Sequence, residues 1–312
     1  MTDETLNLYC PLPSIAHHEA EAIQAHSVQW ALGVELIAPQ DVPHWERQKI
    51  GWLAARCFPR GDRTAVEIAA AWITLHCLVD DIVEGATEDA LAAVLDAMRE
   101  GFNLERQHLT RRIHEPVARA SADLRRQLLS VMTGARCDAF SRSVERLLGS
   151  FEEEAAFRKA SGPATMEDLM RFREINVGVE PLLLLIEPIH GLRLGTLARS
   201  SADFKQIERA VCRIGALAND VVTFEDERRQ AGAINAVAFV AEVEGSTWAQ
   251  ARRRVVELHN LEVKRFLAAV DALTSPGKVH DDGQLQYVET LQFFIRGHLD
   301  WTTQSRRHQP AA

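Results

Sequence analysis

Two clusters of oxygen-bearing side chains carry the chemistry that can be read from this sequence. The first is Asp80, Asp81 and Glu84, at the end of the apolar stretch WITLHCLVDDIVEG. On a helix turning by about 100° per residue, these positions fall at about 0°, 100° and 40°, so the three carboxylates share one face. Acids at a helix C-terminus oppose the macrodipole and require a positive partner. The second cluster is NDVVTFEDE, in which Asn219, Thr223 and Glu227 recur every fourth residue. An amide oxygen, a hydroxyl and a carboxylate then form one row along a helix. Hard oxygen donors of this kind suit Mg2+, whose octahedral shell is completed by water and phosphate. Either cluster alone could be an ordinary solvated helix end or polar face. Two oxygen-rich rows on separate helices, each following apolar turns, can instead face each other across a cavity mouth. There they could hold more than one Mg2+ and a diphosphate.

The elements that must position these rows are helices. The 312 residues include 17 Gly and 11 Pro, with no run of alternating strands joined by Asn-Gly or Asp-Gly turns. Apolar periodicity and punctuation predict helices over His17–Leu32, Pro43–Cys57, Thr64–Val83, Thr87–Gly101, Pro116–Thr133 and Ala135–Glu154. Further helices are predicted over Thr165–Arg173, Leu182–Leu192, Asp203–Gln230, Ala233–Glu244, Thr247–Thr274 and Gln284–Gln304. Residues 1–16 lead into the first helix, and residues 275–283 form a loop before the last. No stretch reads as an interdomain linker or an internal repeat. The expectation is a single all-α domain over residues 1–312 with about ten to twelve helices. Segments such as Ile68–Val79 are apolar on most of their surface and belong inside the bundle.

Composition narrows the function classes. Hydrophobic residues make up 46% and charged residues 25%, a globular balance. Lys and Arg number 35 against 44 Asp and Glu, a net charge of −9, which argues against a nucleic-acid partner. Five scattered cysteines without a CxxC pair point to a reducing compartment, and the expected location is the cytoplasm. No apolar run approaches the ~18 residues of a membrane span. Arg252–Arg254 reads as a solvated helix face and His17–His18 as a helix start.

DDIVE resembles the aspartate-rich DDxxD/E motif, and NDVVTFEDE resembles the NDxxSxxxE motif, of bacterial-type class I terpene synthases. The resemblance spans the whole chain. Residues 1–16 are similar to that family's N-terminal stretch of aromatic, Pro and His residues leading into a helix, here the one with Trp30. Arg173 lies 46 residues before Asn219, where the family places a diphosphate-sensing arginine. GHLDWTTQSRRH is similar to the family pattern GNxxWxxxTxRY.

The resemblance implies a class I terpenoid-synthase helical bundle around a central cavity, three Mg2+ ions with diphosphate bound, and an isoprenoid diphosphate substrate. It implies that Asp80 is the principal metal ligand of the first motif, with Asp81 and Glu84 supporting it or pairing with arginines. Asn219, Thr223 and Glu227 would chelate another Mg2+. Arg173, Asn176 and Val177 would form a sensor, linker and effector, with a break at Gly178 and Pro181 letting the Val177 carbonyl meet the nascent cation. Arg307 would donate hydrogen bonds to the diphosphate, and Trp301 would form a cavity wall.

Several positions depart from the family pattern. Thr223 replaces the commoner Ser. Asp226 stands where many relatives carry a diphosphate-contacting Lys, a charge that Arg228 or Arg229 would supply. His308 follows Arg307 where Tyr is usual. His76 and Cys77 take wall positions at which many relatives have Phe, which leaves fewer rings and a roomier pocket. The implied reaction is Mg2+-dependent ionisation and cyclisation of an isoprenoid diphosphate to a terpene hydrocarbon or alcohol. Farnesyl diphosphate is favoured, geranylgeranyl diphosphate is the alternative and geranyl diphosphate comes third. A chain-elongating prenyltransferase would want a second aspartate-rich motif on the later helix. A non-catalytic helical binding protein would release no diphosphate. Proteins of this kind often pair as homodimers.

Overall fold

Polar caps and backbone turns divide the chain into helices. The computed structural model describes residues 7–103, 115–159, 165–229, 234–275, 282–305 and 307. Among the described residues every regular element is helical. The elements are α1 Ala20–Gly33, α2 Val42–Gln48, α3 Ile50–Cys57, α4 Arg63–Val83, α5 Glu88–Phe102, α6 Glu115–Val131 and α7 Gly134–Lys159. They continue as α8 Met166–Asn176, α9 Val179–His190, α10 Thr196–Ser200, α11 Ala202–Glu227, α12 Ala236–Glu244, α13 Trp248–Leu273 and α14 Asp282–Gln304. Side chains of Asp62, Thr87, Thr165, Ser201, Asn235 and Thr247 accept hydrogen bonds from the first turns of α4, α5, α8, α11, α12 and α13. Each such cap is worth about 1 kcal/mol.

Several elements differ from those expected: α1 begins at Ala20 and not at His17, and α8 runs past Arg173 to Asn176. The single helix predicted over Pro43–Cys57 is two, because Lys49 adopts a left-handed conformation (φ 53°) between α2 and α3. Both residues that flank the corner, Gln48 and Ile50, are buried. α9 begins at Val179, ahead of Pro181. Proline is tolerated there because N–H groups of the first turn have no intrahelical partner. The short helix α10 was not expected. Of the segment 275–283, residues 276–281 lie outside the described residues.

α4 is the central helix, packed against α1, α3, α5, α6 and α9. Its Trp72 is fully buried and meets Phe102 of α5 and Phe140 of α7 edge-on, at centroid distances of 6.2 and 5.2 Å. Edge-to-face contact suits the ring quadrupoles. α11 is the second axis, packed against α8, α9, α12, α13 and α14. The N-terminal segment lies across α13 and α14. Tyr9 N–H donates to Asn260 (2.7 Å), Asn260 donates to the Asn7 carbonyl (3.1 Å), and Arg296 donates to the Cys10 carbonyl (3.2 Å). Among the described residues no helix is long and apolar enough to cross a membrane.

Candidate active site

A cavity of about 390 Å³ opens between α4, α8, α9, α11 and α14. Leu53, Ile73, Leu182, Phe294 and Trp301 line its apolar part. Asp80, Asp81, Glu84, Arg173, Asn219, Thr223, Glu227 and Arg307 line the same cavity, so both oxygen rows border one space. Asn176, Val177, His76 and Cys77 are also in its wall.

Asp80 and Asp81 close the last turn of α4, and Glu84 is its C-cap. The positive partner that this helix end requires is Arg307. Its side chain is only 7% exposed and sits 2.8 Å from Asp81 and 3.3 Å from Asp80. It also donates to Gln48 Oε1 (3.0 Å) and to the Cys77 carbonyl (3.1 Å). Burial lifts the Asp81 carboxyl above its ordinary range even though Arg307 pulls it down. The Cys77 thiol is pushed up to about 12 by burial, so it is an uncharged wall group.

On α11 the row Asn219, Thr223, Glu227 is tied into a buried network. Thr223 donates to the Asn219 carbonyl (2.9 Å), and Asn235 Nδ2 donates to Glu227 Oε2 (2.8 Å). Arg173, 8% exposed, donates to Asn176 Oδ1 (2.6 Å), to Asn219 Oδ1 (3.2 Å) and to Asp220. Its Nε is buried without a hydrogen-bond partner. Burial, followed by the neighbouring Asp220 charge, raises Glu227. Asp220 is also raised by burial, against the pull of Arg173. A crowded set of acids and amide oxygens beside an arginine with an unused donor fits a divalent cation and an oxyanion between the two rows.

The break between α8 and α9 shapes the wall beside this network. Val177 caps α8 and Gly178 takes φ 68°, in the left-handed region. A Cβ at Gly178 would collide with the His76 ring, so glycine is required by packing as well as by φ. His76 stacks on Trp72 (5.9 Å, 4°) and on Phe151 (6.4 Å, 29°). It therefore extends an aromatic layer where a Phe was the family expectation. Burial, then the Arg307 charge, lowers His76 to about 4; burial, then His259, lowers His298, also in the wall, to about 4. Both rings are neutral at neutral pH.

The two histidines give a pH prediction. In the unfolded chain they bind protons near 6.5, and in the folded chain only near 4. Their contribution to stability is complete above about pH 6.5 and is lost as pH falls toward 4, by at most about 3 kcal/mol each. Thermal melts between about pH 7 and pH 5 should fall less steeply for His76→Phe than for the parent chain. Equal slopes would refute the assignment.

Arg228 is one of the two arginines expected to replace the missing lysine. It pairs with Glu225 at 2.8 Å and is not among the cavity-lining residues. Position 228 lies about 100° around the helix axis from Glu227, which turns it away from the metal row. Arg229 pairs at 3.4 Å with Asp226, which itself lines the cavity. His308 lies outside the described residues. His17 lies ahead of α1, which begins at Ala20 and not at His17 as expected; its Nδ1 accepts from Glu19 N–H (3.1 Å) and its Nε2 meets the Gly61 carbonyl (3.2 Å).

Asp220, Asn235, Glu154, Gln48 and His298 were not singled out in the sequence. Asp220 carried a signal: it is the second residue of the NDVVTFEDE motif, about 100° round the helix from Asn219 and within about 20° of Glu227 in projection. His298 stands at the Asn position of the GNxxWxxxTxRY pattern, whereas Asn235, Glu154 and Gln48 lie outside the quoted motifs and had no such signal.

An all-helical bundle around an apolar cavity with an acid-rich mouth defines the class I terpenoid-synthase architecture. The family model for terpene synthase family 2, C-terminal metal binding, matches residues 71–265. The chain belongs to this family, whose members are lyases that use a divalent metal. It is 25% identical to a (+)-T-muurolol synthase, farnesyl diphosphate cyclizing, of Roseiflexus castenholzii, covering 99% of this chain and 95% of that one. It is 23% identical to a germacrene A synthase of Nostoc punctiforme, covering 96% and 94%. Among solved structures, a single-substitution variant of cucumene synthase superposes with a TM-score of 0.83 at 20% identity, covering 96% and 99%. A hedycaryol synthase in complex with HEPES gives 0.79 at 22% identity, covering 95% and 97%. These superpositions support the fold.

Proposed function

We propose that the protein ionises and cyclises an isoprenoid diphosphate, with farnesyl diphosphate as the favoured substrate, to a terpene hydrocarbon or alcohol. The observation that carries this reading is the meeting of the two oxygen rows and two arginines around one cavity with an apolar interior. The printed names of the relatives, which include farnesyl diphosphate cyclisation, support a C15 chain.

The difficult step is heterolysis of the allylic C–O bond. Asp80, Asp81 and Glu84 on one rim, and Asn219, Thr223 and Glu227 on the other, would hold Mg2+, three ions in all. When bound, Mg2+ supplies Lewis-acid stabilisation of charge on the leaving diphosphate. Arg173 and Arg307 present preorganised donors to the same oxygens, so little reorganisation is needed as charge develops. Leu53, Ile73, Leu182 and Phe294 exclude water from the cation that remains. The Trp301 ring faces the same space, where an aromatic surface stabilises positive charge. Asn176 ties Arg173 to the helix break, at which the Val177 carbonyl would meet the first cationic centre.

Incubation with C10, C15 and C20 prenyl diphosphates and MgCl2, followed by gas chromatography, tests this. The expected result is cyclic product and free diphosphate from the C15 substrate, both abolished by EDTA. The C20 arm matters because His76 and Cys77 line the wall. Cyclisation of the C20 substrate alone would shift the reading to a diterpene synthase. Longer diphosphates would mark chain elongation, and absence of Mg2+-dependent diphosphate release from any substrate would refute the proposal.

A further inference from the structure

We propose that Gln48 is a positioning residue: its side chain holds Arg307 at the cavity mouth independently of the carboxylates that the metal would occupy. The inference rests on the reading above that Arg307 meets the diphosphate.

Gln48 is the last residue of α2, is 2% exposed, and has three groups engaged. Its backbone carbonyl, one of the orphan acceptors of a helix end, accepts the Trp301 indole N–H at 2.8 Å. Its Oε1 accepts from Arg307 Nη1 at 3.0 Å. Its Nε2 lies 2.6 Å from His44 Nε2. The left-handed Lys49 ends α2 at this point, so a backbone conformation that non-glycine residues rarely adopt sets the corner. Two cavity residues from the C-terminal part of the chain, Trp301 and Arg307, are thereby anchored to one glutamine far away in sequence.

Arg307 has two kinds of acceptor. Asp80 and Asp81 are anionic and belong to the proposed metal set. Gln48 Oε1 and the Cys77 carbonyl are neutral and do not compete for a divalent ion on comparable terms. With the carboxylates engaged by metal, the neutral pair retains the guanidinium. A planar fork held by two fixed acceptors keeps its remaining N–H groups directed at a phosphate oxygen. Gln48 thus acts through Arg307 and has no contact with the reacting atoms.

The test is calorimetric titration with inorganic pyrophosphate in MgCl2. Gln48→Met removes the oxygen while keeping length and shape, and it leaves the backbone contact to Trp301 in place. Gln48→Ala serves if the Met variant melts early. Either should weaken pyrophosphate binding by about tenfold or more, as expected for loss of a hydrogen bond to a charged group. Gln48→Glu, which keeps the acceptor, should remain within about threefold of the parent chain. In an Arg307→Met background, Gln48→Met should change binding by less than about twofold, because the partner is already gone. A merely structural role would produce the same loss in both backgrounds. Additive losses, or an unchanged Kd for Gln48→Met and Gln48→Ala, would overturn the assignment while leaving the proposed function intact. A parent chain that binds no pyrophosphate with Mg2+ would remove the proposed function, and this inference with it.

Discussion

Arg173→Lys should lower kcat/KM for the prenyl diphosphate by at least about a hundredfold while the protein stays folded. Lysine keeps the positive charge opposite Asp220, so the buried carboxylate retains a counter-ion. It cannot reproduce the fork that reaches Asn176, Asn219 and Asp220 together. A preorganised donor aimed at a developing oxyanion is typically worth about 10²–10³ in rate. Arg173→Met should behave differently: it strands the Asp220 charge in a buried site and should cost about 3–5 kcal/mol of stability. Steady-state diphosphate release and thermal melts, run on both variants, separate the two effects. Unchanged turnover in the Lys variant would remove Arg173 from the diphosphate-binding set.

Glu227→Gln should separate activity from stability in opposite directions. The carboxylate is one of three oxygens in the α11 row, and its loss should lower Mg2+-dependent diphosphate release by at least about a hundredfold. Without metal, however, the charge is a burden. Glu227 is half-buried beside the fully buried Asp220, and desolvation followed by that charge disfavours its ionised form. A neutral amide of the same shape escapes this penalty, so metal-free Tm should hold or rise by a few degrees. Scanning calorimetry in EDTA reads the second effect and a diphosphate-release assay the first. A clear fall in metal-free Tm would mean that the Asn235 bond outweighs the charge penalty and that Glu227 is mainly structural.

Much of the site was legible because helical geometry is local. Asn219, Thr223 and Glu227 share a row on any helix that contains them, and Asp80, Asp81 and Glu84 share a face for the same reason. Gly178 was readable as a break, but the His76 ring packed against it was not. Arg228, one residue past Glu227, stands about 100° further round the helix, and its pairing with Glu225 was not readable from the motif. The missed corner at Lys49 is of another kind. Nothing in VPHWERQKIGWLAARC marks a left-handed residue, although the residues on either side of it, Gln48 and Ile50, are both buried.

The sequence by itself determined the all-helical architecture, the two oxygen rows and their phase on α4 and α11. These follow from side-chain type and a repeat of about 3.6 residues, which needs no knowledge of any other segment. Only the tertiary structure decided that the rows border one cavity, that Asp220 neutralises Arg173, and that Gln48 anchors Arg307 and Trp301. Those pairings join positions up to 259 residues apart. They depend on how apolar helix faces pack and on which buried charges must find partners, and a local repeat carries neither piece of information.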